Sequence, residues 1–474
     1  MVLQRYSSRW LGKIALFLIF LFIATAIYAP FLASSKPIAI AYDGSLYFPL
    51  FRYLFYHEFY TKYLDIFFNL LMFTLPITWI GCALAPRTWR WLLLLVGIGT
   101  QLALFLYLLF HPMHDPAFKE RRNTPQQEKF STWEQHLNSL STYGKLNLVL
   151  RYQQEHAQYE KLKGIPGVQS TLWALNKENQ KAEIARLEKI VSTASKGSNA
   201  QVHAQQALHY LLDKDNWLEK QASLIQWQIM PLIRPFHWEE DAGGSQELNK
   251  HVHFLELTRI NRKDLGAALI FGTRISLVVG ILAVTLSLLI GLPLGSAAGY
   301  YGGNFDIVVC RLIEIWEAMP TLFMLLTVVA IVQSKSIFLI IAIIGLFGWT
   351  SLSRYMRGEV FKQRNLSYVE ACHAIGLPNR TIIFSHILPN AIPPILTLIP
   401  FDIMAAITSE AGLSFLGLGE EGSCSWGVLM DEGRSVFPYE SYLLWPPAIL
   451  LTILLVSIAL VGDTFRDAID PKHA

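Results

Sequence analysis

Ser367-Tyr-Val-Glu-Ala-Cys-His-Ala-Ile-Gly-Leu-Pro-Asn-Arg-Thr-Ile-Ile-Phe-Ser-His-Ile-Leu-Pro-Asn390 is a stretch of mixed polarity set between two strongly apolar segments. Leu366 to Ile375 reads as a short amphipathic helix. Gly376 and Pro378 end it, because glycine accepts the left-handed conformation that closes a helix and proline cannot continue one. A second short helix is expected from Asn379 to Leu388, stopping at Pro389. Helix, corner and helix between two membrane spans form a lever rather than a passive connection.

This stretch resembles the EAA loop of ABC-importer membrane subunits, written Glu-Ala-Ala, three residues, Gly, nine residues, Ile-x-Leu-Pro. Glu370, Ala371, Gly376, Leu388 and Pro389 fall at matching positions, Cys372 replaces the second alanine, and His386 takes the isoleucine position. The resemblance implies a loop that docks into a groove of a separate ATPase subunit and transmits its closure. The implied coupling residues are then Glu370, Ala371, Cys372, Gly376, Leu388 and Pro389, with Glu370 pairing or hydrogen-bonding across the contact. The plainer reading is a two-helix surface hairpin with a solvated carboxylate.

The 474-residue chain is 53% hydrophobic and only 16% charged, with 28 Phe and 13 Trp. Soluble domains carry about a quarter charged residues, and several apolar runs here reach the roughly 20 residues that cross a bilayer. A polytopic membrane protein follows, and a net charge of +3 gives no case for nucleic acid. Cys82, Cys310, Cys372 and Cys424 have neither metal-ligand spacing nor the density of a disulfide framework. No Gly-x4-Gly-Lys-Ser/Thr phosphate loop is present, so the chain is not itself the ATPase, and no hydrolase signature suggests an enzyme.

Arg5, Arg9 and Lys13 precede the first apolar run, about Ile14 to Leu32. That run is longer than the core of a cleaved signal, so residues 1–33 read as a cytoplasmic N-terminus and an uncleaved span. Residues 34–110 hold an aromatic segment, Tyr42 to Pro49, read as an interfacial belt. A tight membrane hairpin follows, about Phe67 to Ala85 and Trp91 to Phe110, with Arg87 and Arg90 at its basic joint. Residues 111–264 are polar and read as an external helical insertion of two or three long helices. Leu172, Leu175, Ile184, Leu187 and Ile190 mark one apolar face, and Gly164–Gly167 and Lys196–Asn199 mark turns. His111, His114, His251 and His253 read as surface histidines rather than a metal site.

Residues 265–474 are the regular part, with spans at about Ile275 to Tyr300, Ile315 to Val332, Ile337 to Leu352, Ala391 to Thr408 and Leu443 to Val461. Gly291, Gly295 and Gly299 leave one helix face bare, as close helix contact requires. Eight spans counted from a cytoplasmic N-terminus put the loop 353–390 and the C-terminus in the cytoplasm. Arg311, Arg354, Arg357, Lys362, Arg364, Arg380, Arg466 and Lys472 then lie on the positive-inside side. Asp402 is an acid inside a span and Pro320 a helix breaker, and both are candidate pathway residues.

Further phrases extend the resemblance to the C-type permease subunit of oligopeptide and dipeptide importers, near the branch that takes up peptide antibiotics. They are Gly272-Thr-Arg-Ile-Ser-Leu277, Ala298 to Asp306, Arg311 to Leu322, Leu413 to Gly419 and Gly462 to Pro471. The segment Leu257–Asp264 departs from that pattern, and the extra hairpin and insertion are additions to it. The resemblance implies an all-α, type I importer permease of a bacterial inner membrane that carries peptides or peptide-like solutes. It also implies a second related permease, two ABC ATPases holding ATP and Mg, and an external solute-binding protein. Two alternatives stay open: a secondary transporter driven by protons through Asp402, and a membrane-anchored scaffold with an external binding domain.

Overall fold

The computed structural model describes residues 10–34, 36–56, 62–113, 132–162, 172–195, 197–233, 265–332, 335–420, 422–435, 437–438 and 443–469. His114, His251, His253, the turn at 164–167 and the segment 257–264 lie outside them. The chain forms two compact units, Met1–Ala26 with Phe271–Ala474, and Ile27–Ile270. The first span is α1 (Trp10–Ile27), an uninterrupted apolar helix followed by the short α2 (Ala29–Leu32).

Within Ile27–Ile270 the aromatic segment is folded in part into a small sheet. Strands β1 (Ala39–Tyr42) and β2 (Ser45–Tyr47) pair antiparallel through a two-residue turn. Asp43 and Gly44 hold that turn at φ 48° and 71°, the positive values that a tight hairpin needs and that Asp-Gly tolerates. After the short α3 (Pro49–Tyr53) come the hairpin helices α4 (Tyr63–Leu84) and α5 (Arg90–Phe110). Buried Gln101 fixes their register: its Nε2 donates to Phe67 O at 2.9 Å, and Thr74 Oγ1 donates to its Oε1 at 2.6 Å.

The polar insertion is helical as its composition suggests, with α6 (Trp133–Ser139), α7 (Thr142–Leu162), α8 (Leu172–Thr193) and α9 (Asn199–Ala222). The last three pack on one another, and Leu187 is buried on the expected apolar face with Ile184 and Ile190 partly covered. Its final element is β3 (Ile225–Ile229), which pairs antiparallel with β1. One three-stranded sheet, ordered β2-β1-β3, therefore joins segments that the sequence reading treats separately. Ile40, Tyr42, Leu146 and Leu150 form its core against α7. Among the described residues, the elements other than these three strands are helical.

The other unit begins its long run with α10 (Leu265–Tyr301), then α11 (Gly303–Ala318), α12 (Thr321–Val332) and α13 (Ile337–Arg364). The expected span from Ile315 to Val332, with its helix breaker Pro320, is part of a bent pair, Gly303–Ala318 and Phe323–Val332, turned by 81°. Pro320 is the cause: the residue before a proline is driven out of the helical region, and Met319 sits at φ −84°, ψ 123°. Among the described residues, seven helices are long and apolar enough to cross a membrane, and up to eight if the bent pair counts as one.

The glycine stripe of α10 lies on the backbone of α13. A β-carbon on Gly291 would sit 2.7 Å from Trp349 O, one on Gly299 2.6 Å from Arg357 O, and one on Gly295 would collide with Ser353 O. The expected close contact is therefore intramolecular. The chain continues through α14 (Ser367–Ala374), α15 (Asn379–Thr381), a wide π-helical stretch at Ile382–Ile387, and α16 (Leu388–Leu396). The helix thus runs through Pro389 instead of stopping there. Leu388 N–H bonds back five residues to Ile383 O, and this wider turn relieves the clash a proline ring makes with a regular α-turn.

The expected span Ala391–Thr408 is likewise broken, between α16 and α17 (Ile399–Leu413). Pro400, in the first turn of α17, has no N–H to carry the ladder back across Thr397 and Leu398. A second π-helical stretch, Ser414–Leu418, then α18 (Trp426–Ser435) and α19 (Trp445–Ile469) complete the described chain.

Candidate functional site

The motif stretch forms a corner with two distinct faces. Val369 and Cys372 of α14 turn inward and join Tyr300, Met356, Val360, Ile382, Ile383 and Ile387 in one buried cluster. Burying side chains of this size stabilises by about 1.5–3 kcal/mol each, which holds the loop to α10 and α13. Leu388 is partly buried against the same cluster, whereas Glu370, Ala371, Gly376 and Pro389 are exposed. Of the six motif residues, Cys372 is thus the one enclosed by its own chain. Its side chain is therefore withdrawn from the outer face of the corner.

Gly376 closes α14 in the left-handed conformation, φ 81°. Gly376 N–H bonds to His373 O at 2.9 Å, and Leu377 N–H reaches back to Cys372 O at 3.1 Å. These two bonds define a Schellman closure, in which a left-handed residue satisfies carbonyls that the helix end leaves open. Tyr300 OH donates to Asn379 Oδ1 at 2.8 Å, and its ring stacks near His373. The corner is thereby pinned to the end of α10. At its tip Ile375 is 78% exposed and on the following helix Phe384 is 68% exposed. Large apolar side chains left open on a polar loop mark a contact surface.

Two interhelical ion pairs, which the sequence reading does not foresee, fasten the base of this lever. Arg357 of α13 engages Asp306 of α11 through two bonds, one of them Nη2 to Oδ2 at 2.7 Å. Arg354 pairs with Glu317 across the same two helices through one bond, Nη2 to Oε2. The spacing of Asp306, Glu314 and Glu317 against Arg354 and Arg357 was a weak signal, since each alone reads as a positive-inside or span-end charge.

Of the pathway candidates, Pro320 is exposed at the break between α11 and α12, and Asp402 lies in the first turn of α17. No buried cluster among the described residues contains both. Asp402 Oδ2 is enclosed and has no hydrogen-bond partner among the described residues. Glu410, two turns further on, is more deeply placed at 1% exposure. Its Oε1 accepts from Ser414 Oγ at 2.7 Å and from Ser425 Oγ at 2.6 Å. Ser414 follows Glu410 by one helical turn, a legible signal, whereas the bond from Ser425 depends on the fold.

Residues 291–474 match the family described as binding-protein-dependent transport system inner membrane component. The chain is 38% identical over 219 residues to the inner membrane ABC transporter permease protein YejE of Escherichia coli, covering 46% of this chain and 63% of that protein. It is 34% identical over 248 residues to the oligopeptide transport system permease protein OppC of Haemophilus influenzae, covering 52% of this chain and 79% of that one. A solved structure of the MetNI methionine ABC transporter in an inward facing conformation overlaps 43% of this chain and 97% of its own, at 17% identity and a TM-score of 0.36. The hairpin and the sheet-bearing insertion precede the matched family region. The chain, a multi-span membrane protein, belongs to the family of binding-protein-dependent transport system inner membrane components.

Proposed function

We propose that this chain is the permease subunit of an ATP-binding-cassette importer that carries peptides or peptide-like solutes across a bacterial inner membrane. The observation that carries the reading is the two-faced corner at 367–390. Its inner face is built into the helical core, and its outer face presents Glu370, Ala371, Ile375 and Gly376 for docking. ATP and Mg belong to two separate ATPase subunits, a second permease completes the pathway, and a solute-binding protein delivers cargo outside. Both termini and the corner lie in the cytoplasm, in line with the positive charges on that side. The name of the Haemophilus influenzae relative, an oligopeptide transport system permease, supports peptide-type cargo.

Closure of the ATPases displaces the corner, and the displacement passes through Met356 and Val360 to α13 and through the glycine seam to α10. The test is affinity co-purification of the tagged chain with its cellular partners, wild type beside Glu370→Arg combined with Gly376→Leu. An ATPase with a phosphate-loop motif is expected with the wild type and lost from the variant at equal membrane abundance. No ATPase after crosslinking would overturn the reading.

A second reading, proton-driven transport through Asp402, is favoured by the enclosed, unpartnered Oδ2 of that residue. Transport that persists without any ATPase and stops in Asp402→Asn would select it.

A further inference from the structure

Helix α11 carries an acid at each end of its covered stripe. Asp306, Val309, Ile313 and Glu317 recur every three or four residues and so share one face, with the two acids about 16 Å apart along the axis. Val309 and Ile313 are buried with Ala298 of α10 and Trp349 of α13, and the Trp316 ring lies 5.1 Å from that of Phe347 and 6.2 Å from that of Trp349. Both acids are answered from a single turn of α13, Asp306 by two bonds from Arg357 and Glu317 by one from Arg354. A two-bond fork fixes the direction of its partner as well as its distance. A rod held at one point can swing, whereas a rod held at both ends of its contact neither swings nor slides. Arg311 and Glu314, between the two acids, pair with each other along the helix.

The turn of α13 that supplies the two arginines is also where the coupling corner enters the core. Met356 and Val360 belong to the buried cluster under the corner, and the carbonyls of Ser353 and Arg357 face Gly295 and Gly299 of α10. Movement of that turn therefore reaches α11 at both ends. Past Glu317 the attachment stops: Met319 leaves the helical region, Pro320 supplies no N–H, and the chain turns by 81°. Beyond the turn, Leu325 and Val329 of α12 pack with Ile340, Ile343 and Leu413, a buried cluster separate from that of α11.

We propose, resting on the importer reading for what moves the corner, that Arg354 and Arg357 clamp α11 to α13. The two helices move as one body and deliver the displacement of the corner to a joint at Met319–Pro320.

The first arm of the test uses the full chain in lipid nanodiscs and needs no partner. Ketone-linked spin labels at Ile315 of α11 and Phe361 of α13, both exposed, leave the native cysteines in place. Double electron–electron resonance reads the distance distribution between them. One narrow distribution is expected for the wild type and for Asp306→Asn or Glu317→Gln alone, because one remaining pair still holds the helix. The double variant is expected to show a second, broader population at least about fivefold larger than either single variant does, since partly exposed pairs are worth up to about fivefold each and the loss of both is not additive. Glu317→Arg with Arg354→Glu in the Asp306→Asn chain rebuilds one pair and is expected to restore the narrow distribution. Should the double variant fail to fold, about 1 M salt, which shortens screening to about 3 Å, is expected to broaden the wild-type distribution. The second arm uses the complete importer in proteoliposomes. Solute carried per ATP hydrolysed is expected to fall at least about fivefold in the double variant and less than about twofold in either single one. An unchanged distribution in the double variant, equal broadening in a single one, or a rebuilt pair that restores nothing overturns the clamp. Broadening without any change in solute per ATP overturns the delivery of motion to the joint. A wild type that carries no solute on ATP fails the importer reading and leaves the first arm to decide the clamp.

Discussion

Replacing Gly376 by alanine isolates the backbone chemistry of the coupling corner. A β-carbon at this position meets nothing within 4 Å, so no clash contributes. What remains is φ 81°, a left-handed conformation that costs an L-residue about 1–2 kcal/mol. The closure exists only while that conformation is held, so its two reporter amides, Gly376 and Leu377, open more often by the corresponding factor. At 1.4 kcal/mol per decade the exchange of those amides with deuterium is expected to accelerate about 5- to 30-fold in Gly376→Ala. Gly376→Asn is expected to cost less, because asparagine tolerates the left-handed region, and Gly376→Val more, because it is β-branched. Hydrogen-exchange mass spectrometry on peptides covering 367–390 reads all three. Unchanged exchange in Gly376→Ala, or an asparagine variant as fast as the valine one, would refute the closure as the source of rigidity. Acceleration spreading to the α10 amides would show a fold-wide defect instead of a local one.

The seam between α10 and α13 makes an opposite pair of predictions on thermal unfolding in detergent. Gly291→Ala inserts a methyl against Trp349 O and is expected to destabilise by about 1–3 kcal/mol, whereas Gly358→Ala, with nothing within 4 Å, is expected to be neutral or stabilising by up to about 1 kcal/mol. His136, whose Nδ1 shares a 2.6 Å hydrogen bond with Tyr210 OH, is held below the usual histidine range first by burial and then by Lys214. The neutral ring is thus favoured by folding. The helical insertion should be at full stability above the unfolded histidine value near about 6.5 and lose it as pH falls through the lower folded value, a loss that His136→Gln should flatten in a circular-dichroism titration. Glu410→Gln keeps an acceptor for Ser414 and Ser425 and should unfold close to wild type, whereas Glu410→Ala strands two buried hydroxyls and should cost about 1–3 kcal/mol or more. A glutamine variant as unstable as the alanine one would mean that the charge, and not the acceptor, matters there.

What could be read from the sequence was local. Apolar runs located the spans, polar helical composition the insertion, and Gly376 with Pro378 the corner, because each signal sits within a few residues of the feature it sets. The glycine stripe gave a face but not its partner, which α13 supplies from more than fifty residues away. The sheet had a local signal as well, Asp43-Gly44 between Ile40 and Leu46, but the aromatic rings around it read equally well as a membrane-surface belt. The pairing of β1 with Ile225–Ile229, across nearly two hundred residues, has no local signal. Prolines announced disruption without its form. Pro320 bends a span, Pro389 is absorbed by a π-turn, and Pro400 opens a gap, depending on which carbonyls the neighbouring turns leave free.

The same distinction applies to the candidate site. The motif marks Glu370, Ala371 and Cys372 as three consecutive residues, yet on a helix consecutive positions point 100° apart. Cys372 therefore shares the inner face with Val369, while Glu370 and Ala371 stay outside. A small residue at 372 is required by the core that carries the lever, and one at 371 by whatever closes on it. Enlarging either side chain would disturb coupling, but by opposite routes. Cys372→Leu overpacks the cluster with Met356 and Ile383 and lowers the stability of the isolated subunit. Ala371→Leu leaves that stability unchanged and acts only when a partner approaches. In the proposed coupling role, the corner would transmit force because its two faces obey different packing constraints within one short helix.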